Sequence, residues 1–251
     1  MSHTAPFTLD LPTILTITTA VSLLPFSLIL SILLIPSNNL KFRILFFWHA
    51  YDALTHFFLE GSFLYHCFFS YTTLLSSPYA VARAKPYFLN RGDRLYGPAY
   101  GTGATARMWQ EYGKADARWA GAELGIISLE LLTVFLGGPA ASYVCYLVYK
   151  ATDASTVAEQ KAAMYKGRLW FVAVGLAVAE LYGGFMTFAP EWLSGNTALQ
   201  TTDPVYFWFY LVFFNMLWVF VPMWVLWAGW GEIRDAFMGA AASGGSGKKR
   251  Q

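Results

Sequence analysis

One stretch constrains this chain more than any other. Trp48 to Ser70, WHAYDALTHFFLEGSFLYHCFFS, is apolar enough for a membrane-spanning helix, yet it carries His49, Asp52, His56, Glu60 and His66. An ionisable group at the centre of an inserted helix costs about 2.5–3.5 kcal/mol on insertion scales. A chain that places several in one span turns them toward a protein-lined cavity and uses them there. His56 and Glu60 are four residues apart and so share one helical face. An imidazole beside a carboxylate can give and take a proton. The plainer reading of the same spacing is a polar pair that holds two helices together.

The composition agrees with a membrane setting. Hydrophobic residues make up 56 % of the 251 and charged residues only 13 %, against roughly 25 % charge in soluble domains. The length suits one bundle of four to six helices. Aromatics reach 18 %, more than interfacial belts require, so some are expected to line a cavity for an apolar ligand. With a net charge of +2 and no run of basic residues alternating with aromatics, nucleic acid is not an expected partner. Cys67 and Cys145 fall inside apolar spans and read as small core residues, not as a disulfide. No Cys-x-x-Cys or His-Glu-x-x-His spacing occurs, so neither a metal nor a cofactor is expected. The N-terminal MSHTAPFTLDLP lacks a basic lead, and a long apolar run follows it, which reads as a retained first span.

Five spans follow from length and hydropathy. They are Leu11 to Ile35, Ile44 to Ser70, Gly121 to Tyr149, Arg168 to Phe188 and Pro204 to Gly231. The third holds Glu123, Glu130 and a Gly137-Gly138-Pro139 break, the fourth holds Glu180, and the fifth holds Asn215. The expected organisation is an N-terminal helix with its flanks over 1–40, a four-helix domain over 41–231 and a cytosolic tail over 232–251. Residues 71–120 form the longest connection. Pro78 to Gly103 is loop-like, and Thr105 to Ala120 reads as a short interfacial helix, with the whole suited to a lid. Lys150 to Gly167 and Ala189 to Asp203 read as polar connectors. Lys41, Arg43, Lys150, Lys161, Lys166, Arg168, Arg234, Lys248, Lys249 and Arg250 share one side in this topology and place the C-terminus in the cytosol. Lys248 and Lys249 stand fourth and third from the end, the spacing of a dilysine retrieval signal for the endoplasmic reticulum, or equally a solvated basic tail.

Three spans each offer a polar pair on one face: His56 with Glu60, Glu130 with Thr133, and Asn215 with Trp218. If these faces converge, they enclose a dry pocket with an acid, a base and an aromatic face. Desolvation disfavours an anion, so of two neighbouring carboxyls one can keep its proton as an acid while the other serves as a base. Protonating an alkene creates a carbocation, and removing a proton from a nearby carbon moves the double bond. The face of Trp218 could stabilise the cation by about 0.5–2 kcal/mol. The plainer readings are an interhelical hydrogen bond for Asn215, a backbone bond for Thr133 and simple packing for Trp218 among Trp208, Trp224, Trp227 and Trp230. Glu180 is a further buried acid with no evident partner. His49, Asp52 and His66 read as interfacial.

These residues carry a resemblance. The segments THFFLEG at 55–61, WQEYGKADAR at 109–118, LELLT at 129–133 with Gly138-Pro139, LYG at 181–183 and PVYFWFYLVFFNMLW at 204–218 resemble the emopamil-binding protein family, sterol Δ8–Δ7 isomerases of the endoplasmic reticulum built on the EXPERA domain. The likeness covers about residues 40–230. It implies five transmembrane helices around a sterol-sized cavity, with catalytic roles for His56, Glu60 and Glu130 and substrate-binding roles for Thr133, Asn215 and Trp218. Two positions depart from the pattern: Ser62 stands where the family has Trp after Glu-Gly, and Gly184 where it has Asp after Tyr-Gly.

The expectation is an all-α polytopic isomerase of the cholestenol Δ-isomerase type that needs no cofactor and sits in the endoplasmic reticulum membrane. Its substrate is a sterol or another apolar polycycle, and lipophilic amines are its expected inhibitors. A homodimer is admitted but not required by the sequence. Two alternatives stand beside this: a related proton-driven isomerase or cyclase of terpenoid metabolism, and a non-enzymatic membrane protein that binds sterols or amphiphilic amines.

Overall fold

The structure is a computed structural model and describes residues 7, 9–74, 86–152 and 159–247. The start of the loop-like stretch at Pro78 and the basic tail from Lys248 lie outside the described residues. The chain is an all-α membrane protein. Its helices are α1 (Leu11–Leu34), α2 (Leu40–Leu54), α3 (Gly61–Phe69), α4 (Ala104–Tyr112), α5 (Leu124–Leu132), α6 (Gly138–Thr152), α7 (Glu159–Ser194) and α8 (Phe214–Gly247). Four helical stretches are long and apolar enough to cross a bilayer: Thr13–Leu34, Leu124–Thr152, Glu159–Ser194 and Val205–Ala242. Residues 40–69 form a fifth continuous rod of comparable length, whose Lys41, Arg43, Asp52 and Glu60 set it apart by composition.

Local chemistry explains the helix ends. Asp10 caps α1 by accepting from the Thr13 amide at 2.9 Å and the Thr13 hydroxyl at 2.7 Å, which satisfies donors that the first turn leaves free. At the other end, Arg43 Nε donates to the Ile35 carbonyl at 2.8 Å, and the Ser31 hydroxyl donates to the Arg43 carbonyl at 2.8 Å. These bonds fasten α1 to α2. The polar connector expected at Lys150 to Gly167 is largely helix, because α6 runs to Thr152 and α7 begins at Glu159. Likewise α8 continues past Gly231 to Gly247. Helix geometry does not stop where hydrocarbon does, so a hydropathy boundary underestimates both. The 71–120 connection contributes a two-stranded antiparallel ribbon, β1 (Tyr71–Thr73) with β2 (Arg94–Tyr96), followed by α4.

Two cores bracket an open middle. One joins Leu45, Phe46 and Ala50 of α2 to Val144 and Leu147 of α6, Leu169 and Trp170 of α7, and Val225 of α8. The other joins Phe63, Leu64 and Cys67 of α3 to Met108, Trp109, Trp119 and Ile126. Along the 40–69 rod, between these cores, Tyr51, Thr55, His56, Leu59 and Glu60 face a cavity instead.

Candidate active site

Three helices are locally underwound where they meet this cavity. Thr55–Glu60, Thr133–Gly137 and Val205–Phe213 are π-helical. In each, the amide after the segment reaches five residues back: Gly61 to His56, Gly138 to Thr133 and Phe214 to Phe209. Such turns recur at functional sites because they re-aim side chains within an otherwise regular helix. Gly137 and Gly138, expected to break the third span, do not break it. Their missing side chains let it approach the second span. A Cβ on Gly137 would lie 3.2 Å from His56 Nε2, and one on Gly138 would lie 3.0 Å from the Phe57 ring.

The cavity encloses about 1080 Å³. Pockets for small ligands commonly hold about 300–1,000 Å³, so this one suits a large, rigid, apolar molecule. His56, Glu60, Glu130, Thr133, Asn215 and Trp218 all line it, as does Glu180. His56 is the centre of the polar wall and is 3 % exposed. Its Nδ1 lies 2.5 Å from Glu60 Oε2, and its Nε2 lies 3.1 Å from Asp52 Oδ1. An imidazole with a carboxyl at each nitrogen is a relay, since a proton accepted at one nitrogen can leave from the other. Glu60 also reaches across to Glu130 and Thr133. The Thr133 hydroxyl donates to Glu130 Oε2 at 3.0 Å and orients that carboxyl. Two facing carboxyls hydrogen-bond only when a proton lies between them, so this arrangement can share one.

Trp218 contributes through both its edge and its face. Its Nε1–H donates to Asp52 Oδ1 at 2.7 Å, which draws electron density onto the ring and strengthens its attraction for a cation. Trp48 and Tyr51 hold the indole in place, with ring centroids at 5.3 and 5.7 Å. Asn215 differs from the other five. Its amide donates to the Leu211 and Tyr210 carbonyls at 2.8 and 3.3 Å and approaches the Tyr112 hydroxyl at 3.5 Å. It closes the π-helical turn of its own helix and contacts neither carboxyl pair.

Three residues read as interfacial are in fact buried in the protein. His49 is 1 % exposed and its Nδ1–H donates to the Leu45 carbonyl at 2.7 Å, while His66 bridges the Ser70 and Thr105 hydroxyls. Asp52 is fully buried at the polar centre. The signal for it was in the sequence, because Asp52, His56 and Glu60 repeat every four residues and lie along one face. Glu180, which had no evident partner, meets the Asp52 carboxyl from α7. That contact joins two helices and leaves no trace in spacing.

Comparison with known proteins shows the family. The family model EXPERA (EXPanded EBP superfamily) matches residues 104–229. A protein of Oryza sativa subsp. japonica named "Probable 3-beta-hydroxysteroid-Delta(8),Delta(7)-isomerase" is 27 % identical over 78 % of this chain and 70 % of its own. One of Arabidopsis thaliana with the same name is 25 % identical over 91 % of this chain and 82 % of its own. An isomeliandiol synthase of Melia azedarach is 23 % identical over 76 % of this chain and 70 % of its own. The chain belongs to the EXPERA family, the expanded EBP superfamily, and is an enzyme of its isomerase kind.

Proposed function

We propose that the protein moves the ring double bond of a sterol from Δ8 to Δ7 in the endoplasmic reticulum membrane, with its C-terminus in the cytosol. The observation that carries this reading is the Glu60–Glu130 carboxyl pair, coupled to His56 and set in the wall of a large apolar cavity that an electron-rich indole also lines. The carboxyl pair gives a proton to C9 of the alkene. The positive charge that forms at C8 is met by the face of Trp218. Loss of a proton from C7 to a neighbouring carboxylate completes the shift, and the relay through His56 restores the starting state. The proton given and the proton taken balance, so the chemistry requires no redox partner.

Unlabelled Δ8-sterol supplied to the purified enzyme in D₂O tests this. The expected product is the Δ7 isomer with one deuterium at C9, seen by mass spectrometry over several turnovers. No conversion, or a Δ7 product that never gains solvent deuterium, would remove the assignment.

A second reading has its own support. Ser62 is small and occupied, because it accepts from the Trp109 indole at 2.9 Å and donates to the Leu59 carbonyl at 2.7 Å. Gly184 lines the cavity without a side chain. The departure at Gly184 favours a wider pocket, and a relative is named as an isomeliandiol synthase. A polycyclic terpenoid other than a sterol would undergo the same protonation and deprotonation. Offering both substrates to one preparation decides by the ratio of kcat/KM.

Lipophilic amines are expected to inhibit, because a protonated amine places charge where the cation forms, and stable mimics of a high-energy state bind tightly. Trp218→Leu is expected to weaken a tertiary-amine sterol mimic by roughly 2- to 30-fold, the factor equivalent to about 0.5–2 kcal/mol of cation–π attraction. Equal affinity for variant and parent in equilibrium binding would place the cation elsewhere.

A further inference from the structure

We propose that Glu180 is a second proton-exchanging group of the same cavity, joined through Asp52 and His56 to Glu60 and Glu130. Asp52 is fully buried, and its Oδ1 already takes the Trp218 indole and His56 Nε2. Its other oxygen, Oδ2, is buried and meets no donor. Glu180 arrives from α7 with its Oε1 also buried and without a donor, and the two carboxyls face each other at hydrogen-bonding range. Oxygens that accept but cannot donate hold such a contact only with a proton between them.

The consequence is a continuous series of groups: Glu130, Glu60, His56, Asp52, Glu180. Both of its ends line the cavity, while Asp52 lies behind the wall. A bond that merely ties α2 to α7 would be made at lower cost by an amide or hydroxyl, since each carboxyl in a span is expensive. A series open at both ends does what the reaction needs. One end gives a proton to the alkene, the other takes a proton from a different carbon, and the series passes it back, so no charge accumulates. This rests on the isomerase reading, and it adds that donation and removal use separate stations.

Glu180→Gln and Glu180→Asp test it, with the full-length protein in detergent. Glu180→Gln keeps the shape and removes the exchangeable proton. It is expected to lower kcat by roughly 10²-fold, the lower end of general acid–base contributions, with KM nearly unchanged. Glu180→Asp is expected to recover part of that loss. A purely structural role would instead appear as a lower melting temperature that Asp does not relieve. A second measurement stands apart from turnover. Infrared spectra of the substrate-free protein in light and heavy water are expected to show a shifting protonated-carboxyl C=O band that Glu180→Gln diminishes. Parental kcat in Glu180→Gln overturns the proposal. If the parent converts no Δ8-sterol, the isomerase reading falls by itself, and an unchanged carboxyl band in Glu180→Gln then overturns the shared proton as well.

Discussion

Replacing Glu130 by Gln is expected to lower turnover by roughly 10²–10⁴-fold, the usual contribution of a positioned acid or base. Glu130 is 6 % exposed, and the Thr133 hydroxyl at 3.0 Å holds it against Glu60. Gln preserves this packing and can still accept from Thr133, but it has no proton to release. Glu60→Gln is expected to fall in the same range, because it cuts the link between the pair and His56, whose Nδ1 lies 2.5 Å from Glu60. The double variant is expected to cost little more than either single one, since both residues act on one shared proton and groups that act as a unit are strongly non-additive. A structural role predicts the opposite: two independent losses that multiply. Rates of Δ7 product formation for the four proteins of this cycle, each checked for an intact fold by melting temperature, separate the two. Near-parental rates in either single variant would detach that residue from the reaction.

The geometry also explains why some of the site was legible in the sequence and some was not. His56 with Glu60 and Glu130 with Thr133 are contacts within one helix, so a helical period finds them. Asp52 obeyed the same period and was still misread, because hydropathy starts the second span near Ile44 while the helix begins at Leu40. That shift moves Asp52 from an apparent membrane edge toward the middle of the rod. The contacts from Trp218 to Asp52 and from Glu180 to Asp52 join residues more than a hundred positions apart, and no spacing rule encodes them. Gly137-Gly138-Pro139 was misread for a different reason. Glycine marks flexibility and close approach with the same letter, and here it serves approach, with His56 pressed against the backbone. Asn215 was identified as polar in a span, but its partners are carbonyls of its own helix, which only the π-helical turn makes available.

The 71–120 connection reads in the sequence as suited to a lid, and Arg118 is where it is locked down. The segment around Asp116 pairs with the α7–α8 connection: Ala117 N donates to Ala198 O at 3.0 Å, and Gln200 N donates to Ala115 O at 2.8 Å. Arg118 makes two bonds to the fully buried Asp116, at 2.9 and 2.6 Å, and reaches the Thr187 carbonyl of α7 at 2.6 Å. Burial works against its charge, but the hydrogen bonds and charge of Asp116, with Glu191 nearby, outweigh it and hold the guanidinium above its ordinary range. Replacing Arg118 by Met keeps most of the volume and leaves Asp116 buried without its cation. Breaking a buried pair from one side typically costs about 3–5 kcal/mol, so Arg118→Met is expected to melt well below the parent in detergent. Arg118→Met with Asp116→Asn is expected to regain much of the loss, because the stranded charge is gone and only the hydrogen bonds are missing. Lys at position 118 is expected to fall between, since it keeps the charge but cannot make both bonds to Asp116 at once. If all three variants melt with the parent, the pair is not what fastens this connection over the Trp119 and Tyr112 side of the cavity, and the segment is held by its apolar contacts alone.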